Sequence, residues 1–273
     1  MRLHLDRFWP PMRIRSGGGG EPVDPMQRIA APATGTLLFA GHSFVQTAWG
    51  GVTSDGQHGG ILYSDWPGST LSDFVPFGSS RAVWDLNGHA RNSDYDLVLV
   101  SDVADLATGF PAPGPSMVNS LQALYWHGLA AAARGAELIL FQPWSPQAVD
   151  LDGTGVAAFA YYRQWLTDHL GTPVWVIPTG QYVRALRREF GDDIFVDGLH
   201  LRAASQYARG VSYLTYSFLT KERCPFVREG DGDVDQIAWD TLQSERMAGF
   251  GGTAGVDAAD IADPLPEPLP LPD

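Results

Sequence analysis

The stretch Thr36-Leu37-Leu38-Phe39-Ala40-Gly41-His42-Ser43 places a short apolar run directly before a glycine and a serine. The run is continuous rather than alternating, as is typical of a strand buried on both faces of a parallel sheet. Gly41 permits a tight turn after the strand. Ser43 is then expected at the carboxyl edge, where open parallel sheets bind their ligands. This stretch predicts a parallel sheet with a polar group at its functional edge.

Apolar runs of similar length recur along the chain and alternate with helix-like stretches. The runs lie at residues 61–63, 97–100, 137–141 and 173–177, and the helix-like stretches at 117–134, 156–170, 180–190 and 203–220. Alternation of strands and helices is typical of domains in which helices cover both faces of a sheet. We therefore predict an α/β fold, with three α/β/α layers and a doubly wound, mainly parallel sheet.

Composition divides the chain into three parts. Residues 1–33 are rich in glycine and proline and are predicted to form an N-terminal extension. Residues 34–222 carry the alternating strands and helices and form the predicted domain. Residues 223–273 are acidic and end in a proline-rich stretch that cannot build a core. Within this last part, residues 234–247 have the pattern of one helix that packs on the domain.

The charge balance excludes some classes of partner. The net charge is −13, whereas nucleic acids and anionic membranes both require a basic face. No apolar stretch approaches the length of a membrane span, and no apolar segment follows the basic residues near the N-terminus. We therefore expect a cytoplasmic protein by default, with leaderless secretion as the alternative. The oligomeric state is left open.

The sequence predicts neither a metal nor a cofactor. The histidines His42, His58, His89 and His127 have no second ligand at a suitable spacing, and a metal site needs three or four convergent ligands. The single cysteine, Cys224, excludes an internal disulfide and a cysteine-rich metal site.

A second polar group, Asp197-Gly198-Leu199-His200, follows the short apolar run 194–196 and precedes the helix-like stretch 203–220. If 194–196 is a strand, this group lies on the same sheet edge as Ser43. Ser, His and Asp together can supply a nucleophile, its general base and the carboxylate that orients the base. The structural alternatives are a capping serine at a strand-to-helix turn, and an aspartate that caps a turn beside a half-buried histidine.

Three segments in this order resemble the conserved blocks of the SGNH (GDSL-type) hydrolases. They are Leu37–Phe44, Trp66–Leu71 and Asp197–Ala208, and residues 138–144 also resemble the fourth strand and its exit loop in a branch of that family. The resemblance spans residues 35–220. It implies a flavodoxin-like fold and a serine esterase that hydrolyses acyl or acetyl esters, of a small molecule or a glycan, without a cofactor.

The resemblance also implies roles for individual residues. Ser43 would be the nucleophile, His200 its base and Asp197 the residue that orients the base. The backbone N–H groups of Ser43 and Gly68 would form the oxyanion hole. The Gly-x-Ser-x-Gly elbow of the α/β-hydrolases is excluded, because Val45 stands where its second glycine would be.

The chain departs from the family pattern at two positions. His42 precedes the serine where Asp or Asn is usual. Ala104 stands where the family has an oxyanion-hole asparagine, so a third donor must come from elsewhere or be absent. Loss of one such donor typically lowers the rate by ~10²–10³. A non-catalytic binding protein on the same fold is therefore one alternative function. An O-acetyltransferase, which would use the same triad to transfer the acyl group to a sugar hydroxyl, is another.

Two tryptophans fall at predicted strand ends. Trp66 and Trp144 are candidate walls of a substrate cleft, where they would contact an apolar acyl group or a sugar face. Ordinary core packing is the alternative for both. The segments 45–60 and 72–95 are predicted to be loops that shape the cleft.

Overall fold

The structure is a computed structural model of the 273-residue chain. It describes residues 36–41, 70–76, 97–101, 115–133, 135–142, 144, 163–202, 205–220, 222–248 and 267. The predicted extension 1–33, and all of the acidic segment beyond Ala248 except Glu267, lie outside the described residues.

Five strands form one sheet in which every pair of neighbours is parallel. They are β1 (Thr36–Gly41), β2 (Thr70–Pro76), β3 (Leu97–Ser101), β4 (Glu137–Phe141) and β5 (Trp175–Ile177). The strand order is β2-β1-β3-β4-β5, which is the doubly wound, flavodoxin-like order. The winding direction reverses between β1 and β3, so the functional edge is expected where β1 ends.

Helices cover both faces of this sheet. They are α1 (Pro115–Ala132), α2 (residues 163–170), α3 (Thr179–Phe190), α4 (Gln206–Thr220) and α5 (Gly232–Ala248). One buried cluster joins Val98, Leu138 and Val176 to α1 and α2. Another joins the alternate positions Leu99 and Ile139 to α3, α4 and α5. The three-layer α/β/α architecture predicted from the sequence is confirmed.

The edge strand β2 differs from the prediction. Residues 61–63, predicted as the second strand, lie outside the described residues. The strand that pairs with β1 at the edge of the sheet is Thr70–Pro76. Residues 72–76 of it had the pattern of a loop, because polar residues interrupt the apolar ones. An edge strand has one neighbour and needs no continuous apolar run, and it tolerates a proline such as Pro76.

The beginning of the acidic segment belongs to the packed domain. The helix predicted at residues 234–247 is confirmed as α5, whose buried residues Val234, Ala238 and Leu242 join the core with α3 and α4. The acidic segment after residue 223 therefore includes one structured element.

Among the described residues, no helix is long and apolar enough to cross a membrane.

An ion pair fixes the start of α5 to α4. The guanidinium of Arg209 donates to both carboxylate oxygens of Asp231, at 2.5 and 2.6 Å, and the hydroxyl of Tyr213 donates at 2.6 Å. Burial raises the pKa of Asp231, but these hydrogen bonds outweigh it and the pKa is lowered. Because Asp231 is only 1% exposed, an uncompensated charge there would be costly.

Helices α3 and α4 approach each other closely at Gly210. Tyr182 on α3 is fully buried, and its hydroxyl donates to the carbonyl of Tyr207 at 3.3 Å. A β-carbon on Gly210 would lie 1.8 Å from that hydroxyl oxygen and 2.7 Å from the ring carbon that bears it. The glycine is therefore required by packing rather than by its backbone conformation.

We expect Gly210→Ala to lower the free energy of unfolding by about 1–3 kcal/mol, because overpacking displaces a buried tyrosine that has no room to move. Gly232→Ala is the matched control: it also lies in a helix, and no atom of the described residues would lie within 4 Å of its β-carbon. Urea unfolding of both variants checks the prediction. Equal stability of the two variants would contradict it.

Candidate active site

Asp197 and His200 meet in one tight turn. The imidazole Nδ1 of His200 lies 2.6 Å from Oδ2 of Asp197. The other carboxylate oxygen, Oδ1, accepts the backbone N–H groups of Leu199 at 2.9 Å and of His200 at 2.7 Å. The carboxylate thus holds both the backbone of the turn and the imidazole ring. The Asp side chain is 51% exposed and the His side chain 34%, so both reach solvent.

The hydrogen bonds of the turn keep Asp197 ionised. Partial burial raises its pKa, but the backbone N–H and the imidazole of His200, and then the N–H of Leu199, outweigh this and lower the pKa from 3.8 to about 2. An ionised carboxylate can only accept hydrogen bonds, so Nδ1 of His200 is the donor. A neutral ring then carries its lone pair on Nε2, which is the tautomer that a general base requires.

The turn is built differently from the strand end that the sequence predicted. The run 194–196 is not a strand of the sheet: a 3₁₀ turn, Gly191–Ile194, leads into an isolated antiparallel bridge between Phe195 and Leu201. The N–H of Val196 donates to the carbonyl of His200 at 2.9 Å, which closes the loop on itself. The run pairs instead with the chain that returns from the turn, where the N–H of Arg202 donates to the carbonyl of Ile194 at 2.9 Å.

Gly198 permits this closure. Its φ of 78° lies in the left-handed region, which residues with a β-carbon rarely adopt. A glycine between Asp197 and Leu199 therefore lets the chain reverse within four residues. The spacing Asp-Gly-Leu-His thus places both members of the pair in one turn.

Trp144 links the turn to the sheet. It lies three residues after the end of β4, and its indole N–H donates to the carbonyl of Leu199 at 2.8 Å. Trp144 is 3% exposed and therefore presents almost no surface to a ligand in this structure. Its substrate-binding role stays a prediction, and its observed contact is with the backbone of the turn.

The exit of β4 is itself tied to β5. The N–H of Gln142 donates to the carbonyl of Ile177 at 3.3 Å, and the hydroxyl of Thr179 donates to the carbonyl of Gln142. Thr179 is fully buried, so water does not compete for this bond. The backbone of Gln142, two residues before Trp144, is therefore fixed to the carboxyl edge of the sheet.

Ser43 lies outside the described residues, two positions beyond the last residue of β1. The final residue, Gly41, pairs with Pro76 of β2, and Ala40 pairs with Val100 of β3. Because neighbouring strands are about 4.8 Å apart, the ends of β1 and β4 are separated across β3 by about 10 Å. The structure therefore brings Asp197 and His200 together and holds them by the exit of β4, at the edge where β1 ends.

Three other residues considered in the sequence lie outside the described residues: Trp66, Gly68 and Ala104. Trp66 and Gly68 precede Thr70, the first residue of β2. The roles predicted for Trp66 and Gly68 stay predictions. Among the described residues, no group of three His, Cys, Asp or Glu side chains could hold a metal ion.

The bond between Trp144 and Leu199 is the feature of this site that the sequence analysis missed. The partners are 55 residues apart, so no local spacing connects them. A weak signal was present in residues 141–144, where a tryptophan directly follows a strand and a proline. That signal indicated an aromatic residue at the sheet edge, but it did not identify the hydrogen-bond acceptor.

No protein-family model and no curated protein matches this sequence. Among solved structures, the chain is similar to a DUF4886 family protein from Bacteroides uniformis, with a TM-score of 0.53 and 16% identity over 78% of this chain and 94% of that chain. It is also similar to a mutant acetyl-xylooligosaccharide esterase from Geobacillus, with a TM-score of 0.48 and 12% identity over 74% and 100% of the two chains. At 16% identity the likeness to the first of these structures is one of fold.

Proposed function

We propose that this protein is a serine esterase that hydrolyses acyl or acetyl esters through an acyl-enzyme intermediate. The observation that carries the proposal is the Asp197–His200 pair, with the carboxylate ionised and accepting from Nδ1. Such a pair supplies two members of a nucleophilic triad. Ser43 is proposed as the third, since it follows the interior strand β1.

In the proposed mechanism, the Oγ of Ser43 attacks the ester carbonyl carbon while Nε2 of His200 takes the hydroxyl proton. The tetrahedral intermediate collapses, the bond to the alcohol breaks, and the imidazolium gives its proton to the departing alkoxide. Water then attacks the acyl-enzyme, again losing a proton to Nε2. The carboxylic acid leaves as the proton returns to Ser43. Asp197 stabilises the imidazolium in both halves of the reaction.

The oxyanion would be held by backbone N–H groups, one of them that of Ser43. Gly68 is the family-based choice for the second donor, and Gly68→Pro, which lacks a backbone N–H, tests it.

A non-catalytic binding protein is the second candidate, and one observation favours it. Ala104 stands where the resemblance requires an asparagine, so a side-chain donor for the oxyanion is missing. The loss of one donor slows such enzymes by ~10²–10³ without abolishing catalysis. The ionised Asp197 beside His200 supports the esterase more strongly than the missing amide opposes it.

Labelling with a fluorophosphonate probe tests the proposal, followed by peptide mapping of the modified residue. We expect one label, on Ser43, and acetate release from short acetyl esters. Ser205→Ala is a suitable control, because this hydroxyl lies near the turn but is engaged in capping α4. A protein that stays unlabelled would be a binding protein. Ester formation on an added sugar, in place of acid release, would indicate an acetyltransferase.

A further inference from the structure

The backbone of the Asp197–His200 turn is held at Leu199 from two sides. Its N–H donates to Asp197 at 2.9 Å, and its carbonyl accepts the indole N–H of Trp144 at 2.8 Å. The first bond is internal to the turn and would survive if the turn moved as a unit. The second reaches 55 residues back along the chain, to the exit of β4. It therefore relates the turn to the sheet.

Trp144 is itself firmly placed. It is 3% exposed and belongs to the buried cluster that contains Phe195 and Leu201, the two residues that pair at the base of the turn. Gln142 lies two residues earlier. Its N–H donates to the carbonyl of Ile177 at the end of β5, and its carbonyl accepts the hydroxyl of Thr179 at the start of α3. Because the indole of Trp144 is held by the core, its N–H fixes the position of the Leu199 carbonyl.

We propose that Trp144 is a positioning residue that sets the place of His200 relative to the end of β1. This inference rests on the proposed esterase function. A general base must lie within hydrogen-bond reach of the hydroxyl it deprotonates, and a misplacement of about 1 Å can cost about 10²-fold in rate. Leu199 and the base of the turn pack on the core, and the Trp144 bond adds a directed contact from the exit of β4 to the backbone next to His200.

The site thus has two levels of support. Asp197 orients the imidazole ring within the turn, and Trp144 orients the turn on the sheet. In this role Trp144 acts on the backbone of the turn and need not contact the substrate. We therefore expect that removing the indole N–H affects the chemical step more than substrate binding.

Trp144→Phe removes the donor while keeping an aromatic ring in the core. We expect kcat for a short acetyl ester to fall about 10–100-fold, with KM within about twofold of the wild-type value. Trp239→Phe is the matched control, because Trp239 packs on the same core from α5. Site-specific benzothienylalanine at position 144, an isostere of tryptophan without the N–H, should reproduce the loss with native packing.

A second readout does not depend on activity. The proton on Nδ1 of His200, bonded to Asp197, should give a downfield NMR resonance that exchanges faster in Trp144→Phe than in Trp239→Phe. If Ser43→Ala were inactive but Trp144→Phe matched Trp239→Phe in kcat and in this resonance, the positioning role would be wrong. If Ser43→Ala kept full activity, the esterase mechanism would be wrong, while the resonance would still test the link between Trp144 and the turn.

Discussion

Ser43→Ala is expected to abolish ester hydrolysis, with kcat lowered by about 10⁶-fold, the scale on which other triad nucleophiles fail. The alanine has no oxygen to form the acyl-enzyme, so the Asp197–His200 pair has no hydroxyl proton to accept. The measurement is kcat on a short p-nitrophenyl ester, made together with the rate of fluorophosphonate labelling. Both should fall to the background of the uncatalysed reaction.

We expect the fold to survive this substitution, because it removes one hydroxyl from a residue that follows β1. An unchanged urea midpoint would show this. Ser205→Ala provides the comparison: it removes a hydroxyl that caps α4 near the turn and should keep most of the activity. Wild-type turnover in Ser43→Ala would remove Ser43 as the nucleophile.

The sheet was predictable because its strands β3 and β4 have a recognisable sequence pattern. Residues 97–100 and 137–141 are continuous apolar runs, and their described side chains are buried from both faces, apart from Glu137 at the start of β4. Helices on either side of the sheet bury both faces of these strands. Such strands are therefore continuous apolar runs, which can be recognised without knowing which strands they pair with. The parallel, doubly wound architecture follows from the alternation with helices.

The edge strand was not predictable in the same way. β2 has a neighbour on one side, so Ser72 and Asp73 do not disqualify it, and the pairing shifts register opposite Leu37 and Leu38. The apolar run 194–196 has the pattern of a strand, but its partner is the returning chain at Leu201 and not a strand of the sheet.

The candidate site divides between local and distant contacts. Asp197 and His200 are three residues apart with a glycine between, so the sequence alone implied their meeting. The bond from Trp144 to Leu199 joins segments that only the tertiary fold brings together. Its geometry depends on where β4 ends and how the loop after α3 returns, and neither is encoded within a single short motif.

Asp197→Asn is expected to lower kcat by about 10⁴-fold while leaving KM nearly unchanged, because asparagine presents an N–H₂ to Nδ1. The ring must then accept at Nδ1 and carry its proton on Nε2, where it cannot deprotonate Ser43. Asparagine keeps an oxygen for the N–H groups of Leu199 and His200, so the turn itself should persist. Asp193→Asn removes one charge from the same segment and should have little effect on kcat.

The pH dependence gives this prediction a second measurement. The pKa of Asp197 is about 2 in the folded chain against an ordinary value of 3.8. Its charged form therefore stabilises the fold above 3.8, and that contribution is lost as the pH falls through the folded value. The stability difference between wild type and Asp197→Asn should shrink over this interval. Since Asp197 stays ionised at higher pH, any acid loss of activity above about pH 4 must come from another group. A wild-type kcat in Asp197→Asn would show that His200 does not need this carboxylate as its partner.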